Sequence, residues 1–220
     1  MANPRKFLRK YSGKIVGVGD IFDHYRSSIA GETMDQYLAR TSQDWMHISD
    51  FIVGNHDAVL LEKHYKDVFK PVRIYRNGPV LALHGHQLKF TDNQAQMLKY
   101  ENKWATNKSV PSLFWDFEEW CCKTFNKYFM LHGKKAFAQA LVTLEEVEKK
   151  GLLDDKVDTV ITGHTHLPFD VRLYYKGKRY RVVNCGSSLH GKVFKPVYVR
   201  RIDKWFVSDL HLGTAKSELD

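Results

Sequence analysis

The sequence predicts an α/β sandwich, folded as a single domain over residues 1–220. Three observations predict it. Short apolar, β-branched runs recur along the chain, each ending in a loop rich in Gly, Asp, Asn or His, and such runs read as buried strands. Helical periodicity appears between them, as expected where helices cover a sheet. A chain of 220 residues is also long enough to bury a substantial core without disulfides or a partner.

The first run, Lys14-Ile15-Val16-Gly17-Val18, ends in Gly19-Asp20. Asp50-Phe51-Ile52-Val53 leads into Gly54-Asn55-His56-Asp57, and Val80-Leu81-Ala82-Leu83 into His84-Gly85-His86. Val157 to Thr162 leads into Gly163-His164-Thr165-His166, and Trp205-Phe206-Val207-Ser208 into Asp209-Leu210-His211. Loops at the carboxyl ends of neighbouring strands can converge on one crevice, so these five are expected to build a common site. Between the strands, Ala136 to Lys150 carries Phe137, Ala140, Leu141, Leu144 and Val147 on one helical stripe, and Gly151 supplies a stop. From about Thr91 to Gly133, Trp104, Phe114, Trp115, Phe117 and Trp120 crowd among charges. This stretch predicts a helical insertion over 91–133, its aromatics serving either as packing or as a lid on the crevice. Val171 to Val183, around Lys176-Gly177-Lys178, reads as a hairpin. A strand from Val197 to Ile202 is tied by Asp203-Lys204 to the one starting at Trp205, so those two are expected to be antiparallel neighbours.

No apolar run approaches the roughly 20 residues needed to cross a bilayer, which excludes a membrane-spanning helix. Met1-Ala2-Asn3-Pro4-Arg5-Lys6 has no apolar stretch behind its basic residues, so a secretory signal is not expected. Three cysteines, two of them adjacent at Cys121 and Cys122, form neither a disulfide framework nor the paired spacing of a structural zinc site. A cytoplasmic setting is the simplest expectation. The net charge of +9 favours an acidic partner: a small phosphorylated molecule, a nucleic acid, or an anionic membrane surface contacted peripherally. A merely solubilising surface charge is the alternative. Eleven histidines are many for this length and direct attention to metal ligation.

A lone Gly-Asp or His-Gly-His means little. Gly54-Asn55-His56-Asp57, Gly163-His164-Thr165-His166 and Asp209-Leu210-His211, each after a buried strand, are together far more specific. On these residues the chain resembles the calcineurin-like metallophosphoesterases, and the resemblance spans Gly19 to His211. It implies a four-layer αββα sandwich and two-metal-dependent hydrolysis of phosphodiester or pyrophosphate bonds. The implied cofactors are two divalent ions, manganese first, with iron or zinc as alternatives. One ion would be held by Asp209, His211, Asp20 and His166, the other by Asp20, Asn55, His84 and His164, so that Asp20 is shared. The residue types suit this chemistry, because mixed carboxylate, amide and imidazole donors favour borderline divalent metals and a shared carboxylate holds two cations about 4 Å apart. Such a pair lowers the pKa of a bound water and clamps the phosphoryl oxygens, so no protein nucleophile is required. His56, one residue past Asn55, is expected to protonate the leaving oxygen. By the resemblance Asp23 orients His56; a helix cap is its alternative role. A looser resemblance, carried by Leu83-His84-Gly85-His86-Gln87 and Val183-Asn184-Cys185-Gly186-Ser187, is to UDP-diacylglucosamine pyrophosphatase-like members. His24, Arg26 and His86 are candidate substrate contacts. A nuclease and a phosphomonoesterase are the alternative activities.

In that family the Asp-x-His motif comes first, whereas here it comes last, so the order is expected to be circularly permuted. Joining the present ends would leave about 30 residues between Asp209 and Asp20, room for one intervening helix. Ser217-Glu218-Leu219-Asp220 would open that helix and Phe7 to Tyr11 would end it. The short Asp203-Lys204 link favours Asp209 and His211 acting in their own chain.

Overall fold

A computed structural model of the protein describes residues 4–24, 31–89, 94–106, 133–187 and 196–212. Its regular elements are, in chain order, α1 (Pro4–Lys10), β1 (Ile15–Val18), α2 (Met34–Trp45), β2 (Ile48–Ile52), α3 (Lys63–Phe69), β3 (Tyr75–Asn77) and β4 (Val80–Ala82). There follow α4 (Gln94–Thr106), α5 (Gly133–Lys149), β5 (Thr159–Thr162), β6 (Phe169–Tyr175), β7 (Lys178–Asn184), β8 (Val197–Val199) and β9 (Lys204–Val207).

The strands form two sheets, in the orders β2-β1-β9-β8 and β3-β4-β5-β7-β6. In the first, β1 runs parallel to both β2 and β9, and β8 is antiparallel to β9. In the second, β4, β5 and β7 run parallel, with antiparallel β3 and β6 at the edges. Strand chemistry follows position. Ile-Val-Gly-Val of β1 and Thr-Val-Ile-Thr of β5 are buried throughout, as inner parallel strands covered on both faces must be. The edge strand β6 instead interleaves buried and exposed residues.

Successive side chains on a strand point to opposite faces, and this period sorts the core into three layers of contact. Ile15, Phe51 and Val207 of the first sheet pack outward against Leu8 of α1, Tyr37 and Leu38 of α2 and Phe69 of α3. Their neighbours Val16, Val18, Ile52 and Phe206 face the other way and meet Val80, Ala82, Ile161 and Val183 of the second sheet. On the far side of that sheet, Leu81, Val160 and Val182 pack against Ala140, Leu144 and Val147 of α5. The result is the helix-sheet-sheet-helix order that the resemblance implies.

Local signals explain most boundaries. A capping box opens α2: Gln36 N–H donates to Thr33 Oγ1 at 3.3 Å, and Thr33 N–H donates to Gln36 Oε1 at 2.9 Å. β6 and β7 are joined by Lys176 and Gly177, both at positive φ (48° and 79°), as a two-residue turn matching the strand twist requires.

Two expectations need correction, and one element was not anticipated. Phe137 is 47% exposed, because the inward stripe of α5 is Ala136, Ala140, Thr143, Leu144 and Val147, and Phe137 lies one residue, about 100°, further round. The strand expected over Val197 to Ile202 stops at Val199 and gives way to a 3₁₀ turn, Arg200–Ile202, that feeds β9. The edge strand β3 was not expected at all. Within the anticipated insertion, α4 is described and is helical, while 107–132, with Cys121, Cys122 and most of the aromatics, lies outside the described residues, as does Ser217 to Asp220.

Candidate metal centre

In each sheet the parallel strands end at one edge, which puts the loops after β1, β2 and β9 opposite those after β4 and β5. Their backbones interlock. Asp209, His211 and Leu212 N–H donate to Gly19, Asp20 and Ile21 C=O at 2.9, 3.1 and 2.9 Å, and Gly163 N–H donates to His84 C=O at 3.0 Å. Asp57 fastens two loops: its carboxylate accepts from Ile21 N–H at 3.3 Å, Phe22 N–H at 2.9 Å and Gly54 N–H at 3.1 Å. Asp209 and His211, just after β9, are thus hydrogen-bonded to the loop that follows β1.

The loops approach so closely that three positions accept only glycine, the first being Gly19, where a Cβ would overlap the His84 ring. A Cβ on Gly54 would overlap Asp20, and one on Gly163 would overlap Ser208 Oγ and crowd the Asp209 carboxylate. Gly163→Ala is therefore expected to cost about 2–3 kcal/mol through overpacking. For a chain of this size that lowers the thermal midpoint by roughly 4–12 °C, and an unchanged melting curve would show that the two loops part without strain. The backbone itself is unusual here. Asp20, His164, His166, Asp209 and His211 all have φ between 46° and 68°. Left-handed conformations are unfavourable for residues with a Cβ and persist where surrounding structure enforces them, commonly at functional sites.

The side chains form three mixed groups in which one donor atom per residue lies within 4.8 Å of the others: Asp20-His84-His164, His166-Asp209-His211 and, sharing His211 with the second, Asp23-His56-His211. His84 Nε2 lies 3.5 Å from Asp20 Oδ2 and 3.3 Å from Asp209 Oδ1, and His166 Nε2 lies 3.1 Å from Asp209 Oδ1. Asn55 is buried between Gly54 and His56, and its Oδ1 has no hydrogen-bond partner among the described residues. An orphaned buried acceptor costs about 1–3 kcal/mol, which a bound cation would offset. Carboxylates, imidazoles and this amide oxygen together are the donor set that borderline divalent metals prefer, so the residues present fit such ions.

Charge supports the same reading. Burial raises the Asp20 and Asp209 carboxyls, but imidazoles outweigh it and both are lowered: His84 and His56 act on Asp20, His166 and His84 on Asp209. The same carboxylates raise His84 against its own burial. Buried carboxylates held ionised in this way call for positive charge beside them. His164 goes the other way, pushed down to about 3 by burial and by the charge of His84, so it stays a neutral donor.

In the third group, His56 Nδ1 lies 3.2 Å from Asp23 Oδ1, and both residues are buried. Burial lowers the His56 pKa, yet the charge of Asp20 and the bond to Asp23 raise it to about 9. Asp23 Oδ2 also lies 3.5 Å from His211 Nδ1, so one carboxylate braces two imidazoles.

The calcineurin-like phosphoesterase family profile matches residues 7–168. The chain belongs to this family. Three UDP-2,3-diacylglucosamine hydrolases of Coxiella burnetii, from strains Dugway 5J108-111, RSA 331 / Henzerling II and RSA 493 / Nine Mile phase I, are each 28% identical to this calcineurin-like phosphoesterase over 161 residues. The alignments take in 71% of this chain but 65% of each relative, so less than two thirds of their length is represented. Asp209 and His211 lie beyond the stretch that the family profile matches.

Of the three candidate substrate contacts of this family member, two lie among the described residues. His24 is half-buried, with Nε2 3.0 Å from Glu32 C=O. Arg26 lies outside the described residues. His86 is fully buried behind His84, its Nδ1 3.1 Å from His84 Nδ1 and its Nε2 2.8 Å from Glu101 Oε1, a protein-facing position rather than an open one. Three residues that sequence reasoning missed also shape the site. Asp57 had its motif position as a signal. Asn184 had only the looser resemblance, yet its Nδ2 donates to Gly163 C=O at 2.7 Å and to Thr165 Oγ1 at 3.1 Å, fixing the histidine loop. Glu101 had no signal at all.

Proposed function

We propose that this chain hydrolyses phosphodiester or pyrophosphate bonds using two divalent cations. Asp209, His211, Asp20 and His166 would hold one and Asp20, Asn55, His84 and His164 the other, with manganese favoured over iron or zinc. Family membership supports metal-dependent phosphoester hydrolysis in general. The observation that carries the finer reading is the convergence of these carboxylates and imidazoles from five loops at the facing carboxyl ends of two sheets, beside the Asp23–His56 pair. When bound, such cations make a water acidic enough to attack at neutral pH and neutralise charge on the phosphoryl oxygens.

The protein's own part is positional and acid-base. Asp23 fixes His56 through Nδ1, leaving Nε2, 3.9 Å from Asp20 Oδ2, turned toward the cluster. An imidazolium so placed can protonate the leaving oxygen. Asp23 is not among the proposed ligands, so its support for that proton would persist when the cations are in place. The match to proteins named for UDP-2,3-diacylglucosamine favours a small substrate with a diphosphate linkage, and the net charge of +9 suits an anionic one. We read the late Asp-x-His as the family's first motif, moved by circular permutation. The insertion over 91–133 is proposed as a lid, since α4, within it, packs beside the 3₁₀ turn Ala58–Leu61 that follows the His56 loop.

The test is metal analysis of the purified protein together with a substrate panel. Two manganese equivalents per chain are expected, with higher kcat/KM on diesters and nucleotide-sugar diphosphates than on monoesters. Preference for monoesters, or for polynucleotides with steep loss of activity in salt, would replace the substrate assignment.

A further inference from the structure

Behind the proposed ligand His84 runs a chain of buried polar groups that reaches α4. Arg73 grips both carboxylate oxygens of Glu101, with Nη2 2.8 Å from Oε2. Glu101 Oε1 lies 2.8 Å from His86 Nε2, and His86 Nδ1 lies 3.1 Å from His84 Nδ1. His84, His86 and Glu101 are 0%, 0% and 1% exposed, and Arg73 at the outer end is partly exposed.

The donor and acceptor inventory gives the chain a direction. An ionised carboxylate only accepts, and the five N–H groups of a guanidinium only donate. Glu101, held by Arg73, must therefore receive a proton from His86 Nε2. A neutral His86 that donates at Nε2 has a lone pair at Nδ1, so across the 3.1 Å contact His84 Nδ1 must be the donor. His84 Nε2 faces Asp20 and Asp209, whose charge raises His84 and favours a proton on that nitrogen too; when a cation displaces it, the proton on Nδ1 stays and Nε2 offers its lone pair.

We propose that the Glu101–Arg73 ion pair, acting through His86, sets which ring nitrogen of His84 carries the proton and so presents Nε2 as a metal-binding lone pair. Glu101, Arg73 and His86 are then positioning residues, and the proposal rests on the reading of His84 as a ligand. Partners that hold a ligating histidine in one tautomer are typically worth about 10–100-fold in metal affinity. Because Glu101 belongs to α4, the insertion is tied to the site's ligand chemistry as well as to any cover it provides.

Glu101→Gln tests this with little change of shape. Arg73 turns the amide oxygen toward itself, which leaves the NH₂ group facing His86 and reverses every donor along the chain. Manganese titration of the variant is expected to show one of the two equivalents weakened about 10–100-fold. The double variant Arg73→Met/Glu101→Gln frees the amide to turn its oxygen to His86, and it should recover most of that affinity. A purely structural role predicts the opposite, with the double variant worse than the single, and that result or unchanged affinity in Glu101→Gln would overturn the proposal. A wild-type protein that binds no manganese would defeat the ligand reading instead. The relay is then read from the metal-free protein by ¹⁵N NMR, where the His86 proton should sit on Nε2, and a proton on Nδ1 would refute it.

Discussion

Replacing Asp20 by Asn is expected to lower turnover by about 10³-fold or more and to reduce bound metal in parallel. The substitution keeps the size of the side chain and removes its charge. Asp20 is the carboxylate on which the site converges: Oδ1 accepts the His56 N–H at 2.9 Å, Oδ2 lies 3.5 Å from His84 Nε2, and its backbone C=O holds the 209–212 segment through His211. As the ligand shared by both proposed cations, it bears on two charges at once. A loss of about 4 kcal/mol of transition-state stabilisation, within the several kcal/mol that metal ions supply, corresponds to about 10³-fold in rate. Elemental analysis and kcat on one diester substrate measure both quantities. Two retained metals with near-wild-type turnover would remove Asp20 from the proposed role.

His56→Ala should separate chemistry from metal binding. Both proposed cations should remain bound, because His56 is not a proposed ligand, while hydrolysis slows by about 10²–10⁴-fold, the usual range for a general acid. The loss should be largest for alkoxide leaving groups and small for a nitrophenolate, which departs without a proton. An equal loss across leaving groups would assign His56 to holding the phosphate. Asp23 makes a poorer test, because its carboxylate lies 3.2 Å from His56 and 3.5 Å from His211, so its removal disturbs the proposed acid and a proposed ligand together.

The sequence made the strands of this fold legible where burial on both faces left uninterrupted apolar runs, as in Ile15 to Val18 and Thr159 to Thr162. It was least legible at the edges. Tyr75-Arg76-Asn77 becomes a strand because β4 lies alongside, and no pattern within those three residues demands it. The same contrast divides the site. Asp20, Asn55, His56, His84, His164, His166, Asp209 and His211 all stood out beforehand, because chemistry at strand ends concentrates unusual residue types into short stretches. Glu101 sits between Tyr100 and Asn102 on an unremarkable helix. Its importance arises only when the fold lays that helix over His86, and spacing along the chain carries no trace of such proximity. The exposed Phe137 is the reverse case, since the apolar stripe fixed the helix but not which of its two borders faced inward.

The place of β9 in the first sheet also has a consequence for how the molecule is made. Ile15 of β1 pairs in register with Trp205 of β9, a separation of 190 residues, and at about 5–20 residues per second a ribosome takes roughly 10–40 s to span it. For that time the nascent chain carries a fully apolar strand with one side unpaired, the kind of edge that invites association with other chains. The proposed metal centre also waits for this strand, because Asp209 and His211 emerge after every other residue proposed to bind metal. Because Asp209 and His211 are proposed ligands, assembly of the proposed centre is coupled to the docking of β9 against β1.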